Sequence, residues 1–323
     1  MMHLFRTVSR YGTRIIAAAA LVGLAVPELA AALRPYIGDF VVTMLIVSLM
    51  RVDFAAFISR IRRPWPAIAA TVWVTVLFPL AVMWGAIALG VDTWSASALA
   101  IVFLFVAPPP IVSAPAFAML MGLDGALVLA VMLLSTTLMP LTAPWLAALF
   151  VADALPISAV DLSLRLATMI GTAFVVAFIL RKVLKSERIE RAKPLFDTVG
   201  VCIAVMFAIG AMDGVGARLV SDPVFTLSAL GIAVGVCFAM IVLSYVLFRP
   251  FVGVDAVAIG YCAGNRNAGL VVAALGVEAV DPMVWFFFAM TQVPVFVFPF
   301  VLAPLGRYSS RTHSAAPPKG TVN

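Results

Sequence analysis

The sequence predicts an all-α integral membrane protein of about ten transmembrane helices in two inverted five-helix repeats. Three observations carry this. Of 323 residues, 64% are hydrophobic and 11% charged, far from the roughly 45–50% and 25% of a soluble domain. Basic residues gather in alternate loops between apolar runs. Two of those runs carry a helix-breaking interruption, half a chain apart.

The mean hydropathy of +1.15 leaves no room for a soluble core protein. The net charge of +6 is explained by loop arginines and lysines on the cytoplasmic side, not by a nucleic-acid partner. Cys202, Cys237 and Cys262 stand singly in apolar segments, with no CxxC spacing. They read as neither a metal site nor a disulfide framework, and Cys202 and Cys237 as small buried hydrophobes. The start is basic (Arg6, Arg10, Arg14) and then apolar to Leu33, like a secretory leader. The run is long enough to span and contains Pro27 and Glu28, so a retained first helix is expected.

At about 20 apolar residues per span, the spans fall in order. The first covers about 15–33 and the second 37–50. The third covers 65–89, and the fourth 94–121 with Pro108, Pro109 and Pro110 inside it. The fifth is 125–151, the sixth 160–182, the seventh 195–217 and the eighth 224–248. The ninth, 254–277, is broken at its centre, and the tenth is 283–304. Residues 1–304 form one domain, with a first repeat over 15–151 and a second over 160–304. The Ser-, Pro- and Gly-containing segment 305–323 reads as a disordered cytoplasmic tail.

Loop charge sets the orientation. Arg51, Arg60, Arg62 and Arg63 follow the second span. Arg181, Lys182, Lys185, Arg188, Arg191 and Lys193 lie between the sixth and seventh, in a mixed-charge stretch that reads as a solvated helical linker. Arg249 follows the eighth, and Arg307, Arg311 and Lys319 the tenth. The opposite loops hold little beyond Arg34, Asp92, Arg218, Glu278 and Asp281. Both termini are therefore expected in the cytoplasm, in a cell (inner) membrane.

The two breaks, at Pro108 and Gly264, are 156 residues apart. An odd number of spans per half inserts the second copy upside down. Interrupted helices at matching places in inverted repeats point to the binding site of a secondary transporter. Three successive prolines remove three backbone donors and force 107–111 to be extended. Ser113 is placed to cap the half-helix that follows. In the ninth span Gly264 ends one half-helix, and Asn265 or Asn267 caps the next. Irregular backbone at membrane depth must be buried in protein or line a cavity. Arg266 sits at that depth with no acid in its span after Asp255, so the centre is positive. Its donors are expected to anchor a carboxylate or sulfonate.

At these residues the chain resembles the bile acid/sodium symporter family. One shared stretch runs from Gly23, Pro27 and Glu28 through Arg34 and Pro35 to Arg51, Val52, Asp53 and Phe54. Another runs from Ala107 through the prolines to Ser113, Ala114 and Pro115, with 120–124 and Ser135, Thr136, Thr137 and Leu138. The most specific is Gly264-Asn265-Arg266-Asn267-Ala268-Gly269-Leu270, similar to the family's Gly-x-Gln-Asn-x-Gly-Leu. The resemblance implies a panel domain of helices 1, 2, 6 and 7. It implies a core domain of helices 3, 4, 5, 8, 9 and 10, with helices 4 and 9 crossed. It also implies sodium-coupled symport. The chain departs from the pattern where sodium would bind: Cys262 replaces a glutamate and Arg266 a glutamine, and Val128 and Met132 replace polar residues. Asn267 alone survives as a residual sodium ligand, and a hard cation needs several oxygens. No cofactor is expected.

The candidate substrate-binding residues are Arg266, Asn265, Asn267, Pro108, Pro109, Pro110, Ser113, Cys262, Thr291 and Gln292. Asp39 and Asp213 are alternative partners for Arg266, though solvation at the outer surface accounts for both. Trp285, Phe286, Phe287 and Phe288 read as lipid-facing or interfacial. Without a catalytic triad, phosphate loop or metal motif, an enzyme is not expected. The predicted function is transport of an organic anion by alternating access, without sodium or with altered ion coupling. Sodium symport through non-standard ligands and a non-transporting receptor on a degenerate transporter fold are the alternatives.

Overall fold

The computed structural model describes residues 2–52, 57, 58, 60, 64–95 and 97–314. Arg62, Arg63 and the tail from 315, with Lys319, lie outside the described residues, as do the side chains of Arg6, Arg10, Arg307 and Arg311. Helices are the only extended secondary structure among the described residues, and seven of them are long and apolar enough to cross a membrane.

Helix α1 (Met2–Ala25) ends before Pro27, which opens α2 (Pro27–Met50). The first expected span therefore stops eight residues early. Proline suits the first turn of a helix, where its missing N–H has no partner to lose. The third expected span is α3 (Trp65–Ala88), which contains one π-helical turn over Trp73–Leu77. The fourth is split into α4 (Ala98–Val106) and α5 (Ala114–Leu120) around the prolines. Asp124 then caps α6 (Gly125–Phe150), accepting the Leu127 amide at 2.9 Å. Inside α6, Pro144 has no N–H to give the Pro140 carbonyl. Ser163 supplies the missing donor from the next helix at 2.6 Å.

The sixth and seventh expected spans are continuous in α7 (Ala159–Ala211), capped by Ser158 through the Asp161 amide at 3.1 Å. Two apolar stretches within it, Ala159–Leu184 and Glu187–Ser221 (the latter ending in α8), are each long enough to span. The helix folds back between them. Arg181 donates to the Leu49, Met50 and Val52 carbonyls, while Asp197 pairs with Arg51 at 2.7 Å. Arg165 near the start of α7 bonds the Ala274 and Leu275 carbonyls, and Asp213 just past its end is joined through Arg34 to Val277, whereas a straight helix would hold 165 and 211 about 69 Å apart. The charged stretch between them is helical and largely exposed, as a solvated linker should be. The two arms of α7 pack along α1 and α2.

A short α8 (Val215–Ser221) leads to α9 (Pro223–Val252), capped by Asp222 through the Phe225 amide. The ninth expected span is split into α10 (Asp255–Gly264) and α11 (Ala268–Leu275), ended by Gly276 at φ +92°. Finally, α12 (Pro282–Ser314) runs ten residues past the expected end of the tenth span, so the start of the tail is helical.

Two expectations about side chains fail. Trp285, Phe286 and Phe288 are buried, not lipid-facing: Trp285 donates to the Asp213 carbonyl at 3.1 Å, and Phe288 packs edge-on to Phe207. Cys202 is exposed on α7, because it sits on the side turned away from α1 and α2, while Cys237 is buried as expected.

Candidate functional site

The two broken helices meet. Pro110 and Arg266 form an isolated antiparallel bridge. The Ile111 amide donates to the Asn265 carbonyl at 2.9 Å, and the Asn267 amide to the Pro109 carbonyl at 2.8 Å. This pairing follows from the sequence. A triple proline presents carbonyls and few amides, and backbone in an apolar interior needs internal partners. The facing break brings the missing donors.

Arg266 supplies the rest. Its Nε donates to the Ala263 carbonyl at 2.6 Å. Its Nη1 donates to the carbonyls of Pro108 and Val74, each at 2.9 Å. The guanidinium carbon lies 5.7 Å from the Phe78 ring centre, within cation–π range. The Val74 carbonyl is free because of the π-helical turn. The Phe78 amide bonds Trp73 instead, and Pro79 has no amide to offer. Arg266 is 5% exposed and makes no ion pair among the described residues. Asp213 pairs with Arg34, and Asp39 is exposed, so neither alternative partner reaches it. Its Nη2 has no hydrogen-bond partner.

Close approach of α10 to α9 shapes this centre. A Cβ at Gly264 would stand 2.5 Å from the Cys237 carbonyl oxygen. Only glycine lets the two helices touch there. Neither Ser113 nor Asn267 caps with its side chain, although both occupy the expected cap positions. Pro115, second in α5, has no amide N–H for the Ser113 hydroxyl to accept from.

A cavity of about 440 Å³ lies against the crossing. Met44, Val47, Phe117, Phe207, Val295 and Phe296 make its walls largely apolar. Asp197 and Phe207 both line it, so it extends about 15 Å along α7. Of the predicted residues, Arg266, Asn267, Ser113 and Gln292 line the cavity. Gln292 spends its amide donors on Phe288 and Thr291, which leaves its carbonyl oxygen as the group to offer. Pro108, Pro109 and Pro110 shape the crossing without lining the cavity. Cys262 and Asn265 are fully buried behind it, and Thr291 bonds the Phe288 carbonyl within its own helix.

Arg266 therefore has only Nη2, not its whole fork, to offer an anion in the cavity. Two of its three nitrogens are held by backbone. Sequence reasoning missed Arg51 and Asp197, whose ion pair lines the cavity mouth, and Ser48, which donates to the Val112 carbonyl at 3.0 Å. Pro79 in mid-span was the available signal for the Val74 acceptor. No protein-family model matches the chain, and no characterised protein compared with it is similar.

Proposed function

We infer that the protein is a secondary transporter of an organic solute, working by alternating access and without sodium. The carrying observation is the bridged crossing of two broken helices at one side of a solute-sized apolar cavity. Such cavities with a few convergent polar groups are the usual form of small-molecule sites. The seven long helices, α1 and the two interrupted helices together support a ten-span count. The mutual packing of α1, α2 and α7 supports a panel of helices 1, 2, 6 and 7, as in the bile acid/sodium symporter family.

The sodium-independent reading rests on Arg266. Three carbonyl oxygens that a hard cation would favour are already filled by a covalently tethered one. The solute is an elongated, mostly apolar molecule with one anionic group. The lining charges, Arg51, Arg266 and Asp197, leave one net positive charge. Arg51 is the more exposed of the two cations and the one an anion meets first.

The test is uptake of a panel of labelled organic anions into proteoliposomes. Flux of at least one supports the transporter. Saturable binding with no flux for any of them supports the receptor reading instead.

A further inference from the structure

The cavity lies toward one end of α2 and α7, and at their opposite end two arginines contact the end of α11 and the turn after it. At the cavity end, Val47, Ser48 and Arg51 of α2 and Asp197 of α7 stand across the cavity from Phe117 of α5 and Phe296 of α12. At the other end the same two helices press on α11. Gly38 of α2 approaches Ala273, whose Cβ would be 3.7 Å from a Cβ added at the glycine. The Ala273 carbonyl accepts from the Gly276 amide, but the last two carbonyls of α11 have no donor within their helix. Arg165 of α7 donates to those of Ala274 and Leu275, at 3.2 and 3.3 Å. Arg34 of α2 donates to the Val277 carbonyl at 3.3 Å.

Arg34 is itself held from two other elements. Asp213, just beyond α7, accepts from it at 3.0 Å. Trp285 of α12 lies with its ring centre 4.4 Å from the guanidinium carbon. The Trp285 indole then donates back to the Asp213 carbonyl at 3.1 Å, closing the set. Cations at a helix C-terminus also meet the negative end of its dipole.

We propose that Arg34 and Arg165 are a latch that holds this end closed by gripping the C-terminus of α11. Asp213 and Trp285 set Arg34 in its grip. Opening toward this side requires both arginines to release the carbonyls together. The latch rests on the alternating-access reading, and gives it a defined closed contact. Single arginine–carbonyl bonds suit a reversible closure, since each contributes only a modest net stabilisation in the folded state.

The experiment uses the full chain in proteoliposomes, with Gly38→Cys, Ala273→Cys and Cys202→Ser. The Cβ separation of 3.7 Å falls in the range a disulfide requires, about 3.5–4.5 Å. The two remaining native cysteines are buried. Oxidation with copper phenanthroline should cross-link this pair rapidly. Adding Arg34→Gln and Arg165→Gln should slow cross-linking about tenfold, a shift on the scale of one lost charged hydrogen bond. With Ala273→Cys alone, the same two substitutions should raise labelling by a membrane-impermeant maleimide. Asp213→Asn keeps both arginines and should move both readouts the same way by less, which guards against a misfolded double variant. Unchanged cross-linking and labelling in both variants overturn the latch. Neither readout needs a solute: a latch that opens in a protein with no flux upholds this inference and counts against transport.

Discussion

Arg266 Nη1 lies 2.9 Å from the Val74 carbonyl oxygen, an acceptor that exists because Pro79 cannot serve it. A π-helical turn in one helix and an arginine in another thus satisfy each other at the crossing. A buried guanidinium costs about 2.5–3.5 kcal/mol on insertion scales. A buried carbonyl left without a donor costs about 1–3 kcal/mol. The pairing offsets part of both, although Nη2 stays without a hydrogen-bond partner.

Arg266→Gln should therefore lower stability, since a glutamine amide cannot reach the Ala263, Val74 and Pro108 carbonyls together. Pro79→Ala returns an amide to α3 and should offset part of that loss. A double-mutant cycle by thermal melting should give a coupling on the order of 1 kcal/mol between the two sites. Strict additivity would show that the Val74 bond contributes nothing.

Pro109→Ala should leave the protein folded, with solute binding weakened. Its carbonyl can still accept from the Asn267 amide, so the bridge survives. What changes is the fixed φ of the extended segment, which sets how the crossing meets the cavity. Melting within a few degrees of the parent, with reduced flux, is the expected pair of results. Unchanged flux would demote the triple proline to a kink.

Both breaks were legible because proline, glycine and asparagine in an apolar run are local signals. The meeting of those breaks is also local chemistry: one lacks donors and the other has them. The Val74 partner was not legible, because it is 192 residues from Arg266 and depends on a π-helical turn. The two arms of α7 and the helical linker between them were legible, because the charged stretch marks a span boundary; that the helix runs on unbroken past Pro194 was not. The orientation of Trp285 to Phe288 could not be read either. A helix that is apolar all round has no polar face to mark which side meets lipid.

Gly264→Ala should be costly where Gly231→Ala is not. The added methyl at 264 meets the Cys237 carbonyl oxygen at 2.5 Å, while at 231 nothing lies within 4 Å. Overpacking of this kind costs about 1–3 kcal/mol. Gly231→Ala should be neutral or slightly stabilising, since alanine is the better helix former. Equal melting temperatures for the two variants would mean that α9 and α10 are not in contact at the crossing.

The orientation can be tested at Lys193 and Asp281. Reporter fusions after Lys193 and Arg311 should report the cytoplasm, and a fusion at Asp281 the opposite side. Arg51, Arg181 and Asp197 cluster at the end that carries the basic stretch. The cavity mouth should then face the cytoplasm. An external signal at Lys193 would invert that assignment and the side that the latch closes.

Sodium dependence decides what Arg266 does. If the guanidinium stands in for a coupling ion, replacing sodium with potassium should leave solute flux unchanged. The alternative is that sodium binds elsewhere, on oxygens such as those of Asn267, and Arg266 only braces the crossing. Arg266→Gln separates the two when read at a temperature where the variant remains folded. As a tethered cation, its loss empties three carbonyl acceptors at the crossing, and flux should fall without gaining a response to sodium. Arg266→Lys keeps the charge with a shorter reach and should recover part of the flux. Flux that rises steeply with sodium in the parent, and persists in Arg266→Gln, would sink the sodium-independent mechanism while leaving the fold intact.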